Sequence, residues 1–304
     1  MKKVKKYVSM LNPFQNREDI PTPVFVAKKL LAFWFLYLLV GCIAGEIFII
    51  GGLTLAGYDP IKGIMPADSI MQLIQYYGFA FFLLAAILYC KFVENTDIKK
   101  IGFNNKYTDY LSGGILAILL LVIVVAISCA TGGMTYSGLR EDVEWKYTIA
   151  LLGGFVIQGA AEEALCRGFL MQSLLKKVSV PWAVFLSATM FAIPHLASME
   201  ADLTFKVLGI VNLYLVSILF SLLILLRSNL WISCGLHSVW NFVLYGMMGL
   251  NVSGEQANET GIFSFVVNGS SIFNGGAYGV EASIITTIVL GTMVVLCYKK
   301  LNKI

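Results

Sequence analysis

The stretch AAEEALCRGFL at residues 160–170 places two adjacent glutamates and an arginine inside an apolar run. The chain is uncharged over at least eight positions on each side of these three residues. An ionised side chain near the centre of a bilayer costs several kcal/mol, so such residues normally face a protein interior or a water-filled cavity and mark function. On a helix, Glu163 and Arg167 are four residues apart and can form an ion pair, whereas Glu162 points about 100° away. Glu162 is therefore predicted to be the acid without a local partner.

The composition indicates a polytopic membrane protein. Hydrophobic residues make up 58% and charged residues 13% of the 304 residues, and the mean hydropathy is +0.79. These values lie outside the range of soluble globular domains. A helix needs about 20 apolar residues to cross about 30 Å of hydrocarbon, and runs of this kind predict an all-α chain of eight transmembrane helices that forms a single membrane domain, 1–304. The predicted spans are 30–53, 70–90, 110–132, 147–175, 181–199, 207–226, 229–249 and 282–298.

Lysine and arginine orient these spans, because short cytoplasmic loops carry an excess of positive charge. With Arg167 set aside as intramembrane, 17 basic residues fall on the side of both termini and four fall on the other side. Both termini are therefore predicted to be cytoplasmic in a multi-pass cell-membrane protein, and the lysine-rich tails are typical of a low-GC bacterium. The loop 251–282 contains no lysine or arginine and is predicted to lie outside. The net charge of +4 reflects this bias and indicates contact with the lipid bilayer, since no basic stripe suited to nucleic acid is present.

The chain has only two histidines, and each lies in an apolar span beside a second notable residue. Phe191 precedes His195 by four positions, and His237 precedes Asn241 by four positions. This spacing puts each pair on one face of its helix. A lone intramembrane histidine is more often a structural hydrogen-bonding residue than a catalytic one. Together with the unpaired Glu162, however, the two histidines indicate a shared polar site.

The depth of these residues supports that prediction. Glu162 lies 15 residues before Lys177, and His195 lies 15 residues after Val180. Because these two positions flank the turn between the fourth and fifth spans, both side chains are predicted to lie about 22 Å from that turn. His237 is only about eight residues into its own span, so that helix must tilt or begin deep in the protein to bring it alongside.

A carboxylate, two imidazoles and a carboxamide around a polar cavity suit hydrolysis. Peptide hydrolysis needs a base that deprotonates water, which Glu162 and His195 can supply. It also needs donors for the developing oxyanion, which His237 and Asn241 can supply. Alternatively, the two histidines and Glu162 match a zinc site with water as the fourth ligand. The spacing alone leaves both mechanisms open.

The motifs Glu162-Glu163-x-x-x-Arg167, Phe191-x-x-x-His195 and His237-x-x-x-Asn241 resemble, in order, those of the CPBP family. This family comprises the CAAX proteases and bacteriocin-processing enzymes, also called Abi proteins. The resemblance covers about residues 147–250, the predicted catalytic core. It implies an intramembrane endopeptidase that acts on a prenylated CAAX protein or on another membrane-associated peptide. It assigns water activation to the first glutamate and first histidine, and oxyanion stabilisation to the second histidine and the asparagine.

The resemblance favours a mechanism without a cofactor, with zinc as the alternative. The ion pair of Glu163 with Arg167, and Phe191 beside His195, are expected to support the catalytic residues without contacting substrate. The competing hypothesis is a non-catalytic membrane protein of the same fold, such as a bacteriocin-immunity factor or a scaffold. The complete set of four polar residues favours the enzyme, because scaffolding alone gives no reason to keep them in lipid.

Overall fold

The computed structural model describes residues 10–196, 199, 202–257 and 261–303. The four lysines predicted to lie in the amino-terminal cytoplasmic tail, at positions 2, 3, 5 and 6, fall outside these residues. The described chain is mostly helical. Its helices are α1 (Thr22–Leu55), α2 (Asp68–Phe92), α3 (Asp109–Ala130), α4 (Trp145–Leu174), α5 (Val180–Leu196), α6 (Leu203–Arg227), α7 (Trp231–Asn241, continued by the π-helix Phe242–Met247), α8 (Ser271–Asn274) and α9 (Ile284–Leu301).

Six of the eight predicted spans are confirmed as helices long and apolar enough to cross a membrane, namely α1, α2, α3, α4, α6 and α9. The predicted spans 181–199 and 229–249 correspond to α5 and α7, which are shorter. Helix α5 has 17 residues, and α7 has 11 α-helical and six π-helical residues. Residues 197 and 198 of the predicted fifth span lie outside the described residues.

Helix α7 begins at a buried residue under a covering loop, and this start fixes the position of His237. The residue before it, Leu230, is 0% exposed. The loop that precedes α3 covers this end of α7: Leu230 donates its backbone N–H to the Gly102 carbonyl at 2.9 Å, and the Trp231 indole donates to the Asn104 carbonyl at 2.7 Å. Because these contacts satisfy groups at the helix start inside the protein, six residues suffice to bring His237 to the site.

Close contacts at glycine hold α7 between α3 and α4. A Cβ atom on Gly235 would lie 2.0 Å from the Tyr110 carbonyl oxygen of α3. A Cβ atom on Gly159, one turn before Glu163 on α4, would lie 2.9 Å from the backbone nitrogen of Ser238. Helices approach this closely only where a side chain is missing. These glycines therefore set the distance between the helices that carry the predicted site.

Gly235→Ala is expected to lower the thermal stability of the purified protein and its activity, because the added methyl group meets backbone that cannot move aside. Overpacking of this kind typically costs about 1–3 kcal/mol. Gly51→Ala is the matched control: Gly51 also lies within a helix, and a Cβ atom there meets nothing within 4 Å. Thermal unfolding in detergent would measure both variants. Equal melting temperatures for the two would contradict the close packing described here.

The all-α prediction is wrong at one place, a two-stranded sheet. Strand β1 (Met134–Leu139) pairs antiparallel with β2 (Phe263–Val267), with an irregularity in register between Tyr136 and Gly138. Both segments lie in loops rather than in the apolar runs that reveal the spans. They are rich in aromatic and β-branched residues, which favour strands.

The predicted outer loop 251–282 is also more structured than expected. Besides β2 and α8 it contains two 3₁₀ turns, Gly276–Tyr278 and Val280–Ala282. Val280 is 1% exposed and Ala282 is 0% exposed. The loop therefore folds back against the helices, and its last residues pack beside the predicted site.

Candidate active site

His237 lies between the two adjacent glutamates of α4. Its Nε2 atom is 3.4 Å from Oε2 of Glu162, and its Nδ1 atom is 3.2 Å from Oε1 of Glu163. His237 is 5% exposed. Its imidazole stacks on the Phe220 ring of α6, with 5.1 Å between ring centroids. The structure thus brings the second predicted histidine into contact with the first motif. It also places Glu162, predicted to lack a local partner, next to a partner from another helix.

Glu163 and Arg167 form the ion pair that their spacing predicts. The Arg167 Nη1 atom lies 2.8 Å from Glu163 Oε1, and both side chains are 0% exposed. Arg167 also donates to the Ser217 hydroxyl of α6 at 2.5 Å. Its guanidinium lies 4.6 Å from the centroid of the Phe191 ring and 5.1 Å from that of Phe220. The arginine therefore ties α4 to α5 and α6 while it balances the charge of Glu163.

His195 lies near the end of α5 and shares a cavity with Glu162. Its Nδ1 atom is 2.8 Å from the Phe191 carbonyl oxygen, and its ring lies 4.8 Å from the Phe191 ring. The same phenylalanine contacts His237 edge-on, with 5.9 Å between ring centroids. Phe191 thus packs against both histidines, which gives the second motif a physical role as a spacer between them.

Asn241 is held by a residue that the sequence analysis missed. Its Nδ2 atom donates to Oε1 of Gln158 at 3.1 Å. Gln158 precedes Glu162 by four residues, so both side chains lie on one face of α4. A polar residue one turn before an unpaired intramembrane acid was the available signal. The contact orients the Asn241 amide towards the helix that carries Glu162.

Two cavities meet at His195 and Phe191. The large cavity, of about 440 Å³, is lined by Gln158, Glu162 and His195 together with residues 252–255 of the outer loop. The small cavity, of about 40 Å³, is lined by His195, His237, Asn241 and mostly apolar residues of α3, α6 and α9. His195 therefore faces both spaces, with Glu162 on one side and the pair His237 and Asn241 on the other.

Glu281 is a second residue that the sequence analysis missed. It lines the small cavity, and its carboxylate accepts hydrogen bonds from the Trp240 indole at 2.9 Å and from the Ser253 backbone N–H at 2.5 Å. Burial raises the pKa of this carboxyl above its usual range, and the Ser253 N–H opposes that shift. Its position just before an apolar span made it look like an ordinary loop acid. Only the folding-back of the loop brings it to the site.

The residues present do not fit the zinc alternative. Of the three proposed ligands, Glu162 and His195 line the large cavity, whereas His237 lines the small one. Among the residues that the structure describes, no group of three or more histidine, cysteine, aspartate and glutamate side chains could hold a metal ion. The three proposed ligands therefore do not converge on one point.

Glu162 of α4 and the histidines of α5 and α7 thus line two adjoining cavities inside a bundle of mostly apolar helices. Residues 144–243 match the family described as Type II CAAX prenyl endopeptidase Rce1-like. The chain thus contains an Rce1-like domain of this protease family, and all seven residues of the three predicted motifs lie within it. Glu281 and residues 252–255 lie beyond it. A comparison with curated proteins found no match.

Proposed function

We propose that the protein is an intramembrane endopeptidase that hydrolyses a peptide bond of a membrane-associated peptide or protein. The observation that carries this proposal is that Glu162 and His195, from two different helices, line one cavity large enough to admit a peptide segment. Acidic and imidazole side chains in one water-accessible cavity can serve as general bases. The match of residues 144–243 to a protease family supports the same chemistry.

In the proposed mechanism, Glu162 and His195 hold a water molecule against the scissile carbonyl carbon. Glu162 accepts a proton from the water while the water oxygen bonds to that carbon. The proton then passes to the leaving amine nitrogen as the C–N bond breaks, which gives a carboxylic acid and an amine. No covalent intermediate with the enzyme is needed, because water is the nucleophile.

His237 and Asn241 are proposed to stabilise the oxyanion. Glu163 fixes the Nδ1 side of His237, which leaves the Nε2 side facing Glu162; in this proposal the reacting carbonyl binds beside that Nε2 atom. Gln158 likewise fixes the Asn241 amide. Donors held in place before the reaction stabilise developing charge without reorganisation, and one such donor can contribute about 10²–10³ in kcat.

Charge balance in the cluster supports these roles. Arg167 balances Glu163, which leaves Glu162 as the remaining negative charge beside His237. A protonated His237 would make the four residues neutral together. A neutral cluster is the arrangement expected of charged groups far from bulk water.

The surrounding architecture is proposed to be that predicted from the sequence. Eight helices span the cell membrane, with both termini in the cytoplasm and the chain 1–304 forming one membrane domain around the core 147–250. The structure supports this proposal with six long apolar helices and two shorter ones, α5 and α7, packed among them. The two shorter helices carry both histidines.

We expect the purified protein in liposomes to cleave membrane-anchored peptides and to remain active after dialysis against a chelator. Elemental analysis should find zinc well below one atom per chain, because the proposed mechanism uses no metal. Stoichiometric zinc, with activity lost to chelation and restored by zinc alone, would overturn the metal-free mechanism. A folded protein that cleaves no membrane peptide would instead favour the non-catalytic immunity or scaffold function.

A further inference from the structure

The outer loop supplies a short wall segment to the large cavity, residues 252–255, which we call the strap. The strap is a tight turn in which the Val252 N–H donates to the Glu255 carbonyl at 3.1 Å. Ser253 and Gly254 adopt φ angles of +50° and +84°. Glu281 accepts the Ser253 N–H on one side. The strap is therefore held in a defined position over the site.

The other end of the strap carries an acid into the cavity. The Glu255 carboxylate accepts hydrogen bonds from the Gln72 amide and the Tyr76 hydroxyl of α2, each at 2.8 Å. Both donors are neutral, and none of the ion pairs among the described residues includes Glu255. Each carboxylate oxygen keeps a further acceptor site. Glu255 is thus fixed in place with its negative charge uncompensated.

The large cavity as a whole favours positive charge. Its walls contain two carboxylates, Glu162 and Glu255, and no lysine or arginine. Besides Tyr76 and Phe191, four aromatic residues line this cavity. The faces of aromatic rings attract cations. The four residues are Phe33, Tyr37, Phe79 and Phe82, which form a continuous group with Tyr37 and Phe79 each 5.2 Å from the Phe82 ring.

The loops on the side predicted to lie outside carry the same sign of charge. On the side predicted to lie outside, the sequence contains ten acidic residues and only four basic ones, which are Lys62, Arg140, Lys146 and Lys206. A surface with an excess of one charge raises the local concentration of oppositely charged ligands and their rate of association. Cationic peptides are therefore favoured both on approach and inside the cavity.

We propose that the large cavity selects substrates with a cationic group beside the scissile bond, and that Glu255 is the residue that binds it. The cationic group is a lysine or arginine side chain or a free amino terminus. This inference rests on the proposed endopeptidase function and names its substrate class. A peptide that presents a carboxylate at the same place would meet Glu255, and the described cavity walls contain no lysine or arginine to pair with it.

The test uses membrane-anchored peptides that are identical except for one residue beside the cleavage site: lysine, methionine or glutamate. Acetylated and free amino-terminal versions of the methionine peptide separate a side-chain cation from a terminal amine. For the wild-type protein we expect kcat/KM to be at least about tenfold higher for a peptide with the cation than for the acetylated methionine peptide, as a charge-assisted hydrogen bond allows. The glutamate peptide should be the poorest substrate.

The variants assign the preference to one residue. Glu255→Gln keeps an acceptor for Tyr76 but removes the charge, so the ratio of lysine to methionine cleavage should fall towards one. Glu255→Lys should reverse the order of the lysine and glutamate peptides. Glu141→Gln is the matched control, because it removes one acid of the outer side at an exposed position outside the cavity. The other nine acids remain, so the wild-type ratio should be retained.

An unchanged ratio in Glu255→Gln, or a wild-type preference for the methionine or glutamate peptide, would overturn the inference. A preference for the methionine peptide would point to an apolar or lipid-modified substrate segment, and a preference for the glutamate peptide to an anionic one. Failure of the proposed function looks different, since the wild-type protein would then cleave none of the peptides.

Discussion

Glu162→Gln is expected to lower kcat for peptide cleavage by about 10² to 10⁴, the usual contribution of a positioned general base. Glutamine has nearly the same shape and can still contact His237, so helix packing should not change. The amide cannot accept the proton of the attacking water. His195→Ala should cause a similar loss, because His195 faces Glu162 across the large cavity and holds the other side of that water.

Cleavage assays in liposomes, paired with thermal unfolding in detergent, would separate a chemical loss from a folding defect. Glu141→Gln, an exposed acid away from the site, should cleave at the wild-type rate. Full activity of Glu162→Gln with normal stability would falsify the assignment of the base. Loss of activity together with a large drop in melting temperature would mean that Glu162 is structural.

Arg167→Ala should have the largest effect on stability. It leaves Glu163, which is 0% exposed, without its guanidinium partner and with only His237 beside it, and breaking a buried ion pair in this way typically costs about 3–5 kcal/mol. It also removes the hydrogen bond to Ser217 and the packing between Phe191 and Phe220. Low expression, a lower melting temperature and lost activity should occur together.

Arg227→Ala provides the comparison for that variant. Arg227 pairs with Asp109 at 3.1 Å, but its side chain is 50% exposed, and exposed pairs contribute only about 0–1 kcal/mol. Its melting temperature should therefore stay close to the wild-type value. If Arg167→Ala is as stable and active as Arg227→Ala, the buried ion pair does not support the site as described.

Most of the helices and the grouping of polar residues on α4, α5 and α7 could be predicted from the sequence because both leave local signals. A charged residue in an apolar run is conspicuous, and the spacing of four residues between Glu163 and Arg167 predicts their contact without any tertiary information. The sequence also predicts that Glu162 and His195 lie at one depth, because each is 15 residues from the turn between the fourth and fifth spans. The structure places both in the large cavity.

The remaining features depend on contacts between distant parts of the chain. The depth of His237 is set by the loop around Gly102, some 130 residues earlier in the sequence. Glu281 and Glu255 reach the site only because the outer loop folds back, and a loop rich in polar residues gives no periodic signal. Gln158 could have been noticed from its spacing to Glu162, but an amide in a span is less conspicuous than a charge.

The strap and Glu281 lie outside the segment 144–243, which contains every residue of the three motifs. On the two proposals made above, bond cleavage and peptide choice are therefore encoded in separate stretches of the gene. Substitutions or insertions in the outer loop can alter which peptide is accepted while the reacting groups on α4, α5 and α7 stay as they are. A new substrate preference can then evolve through changes in a loop alone, where insertions are tolerated most readily.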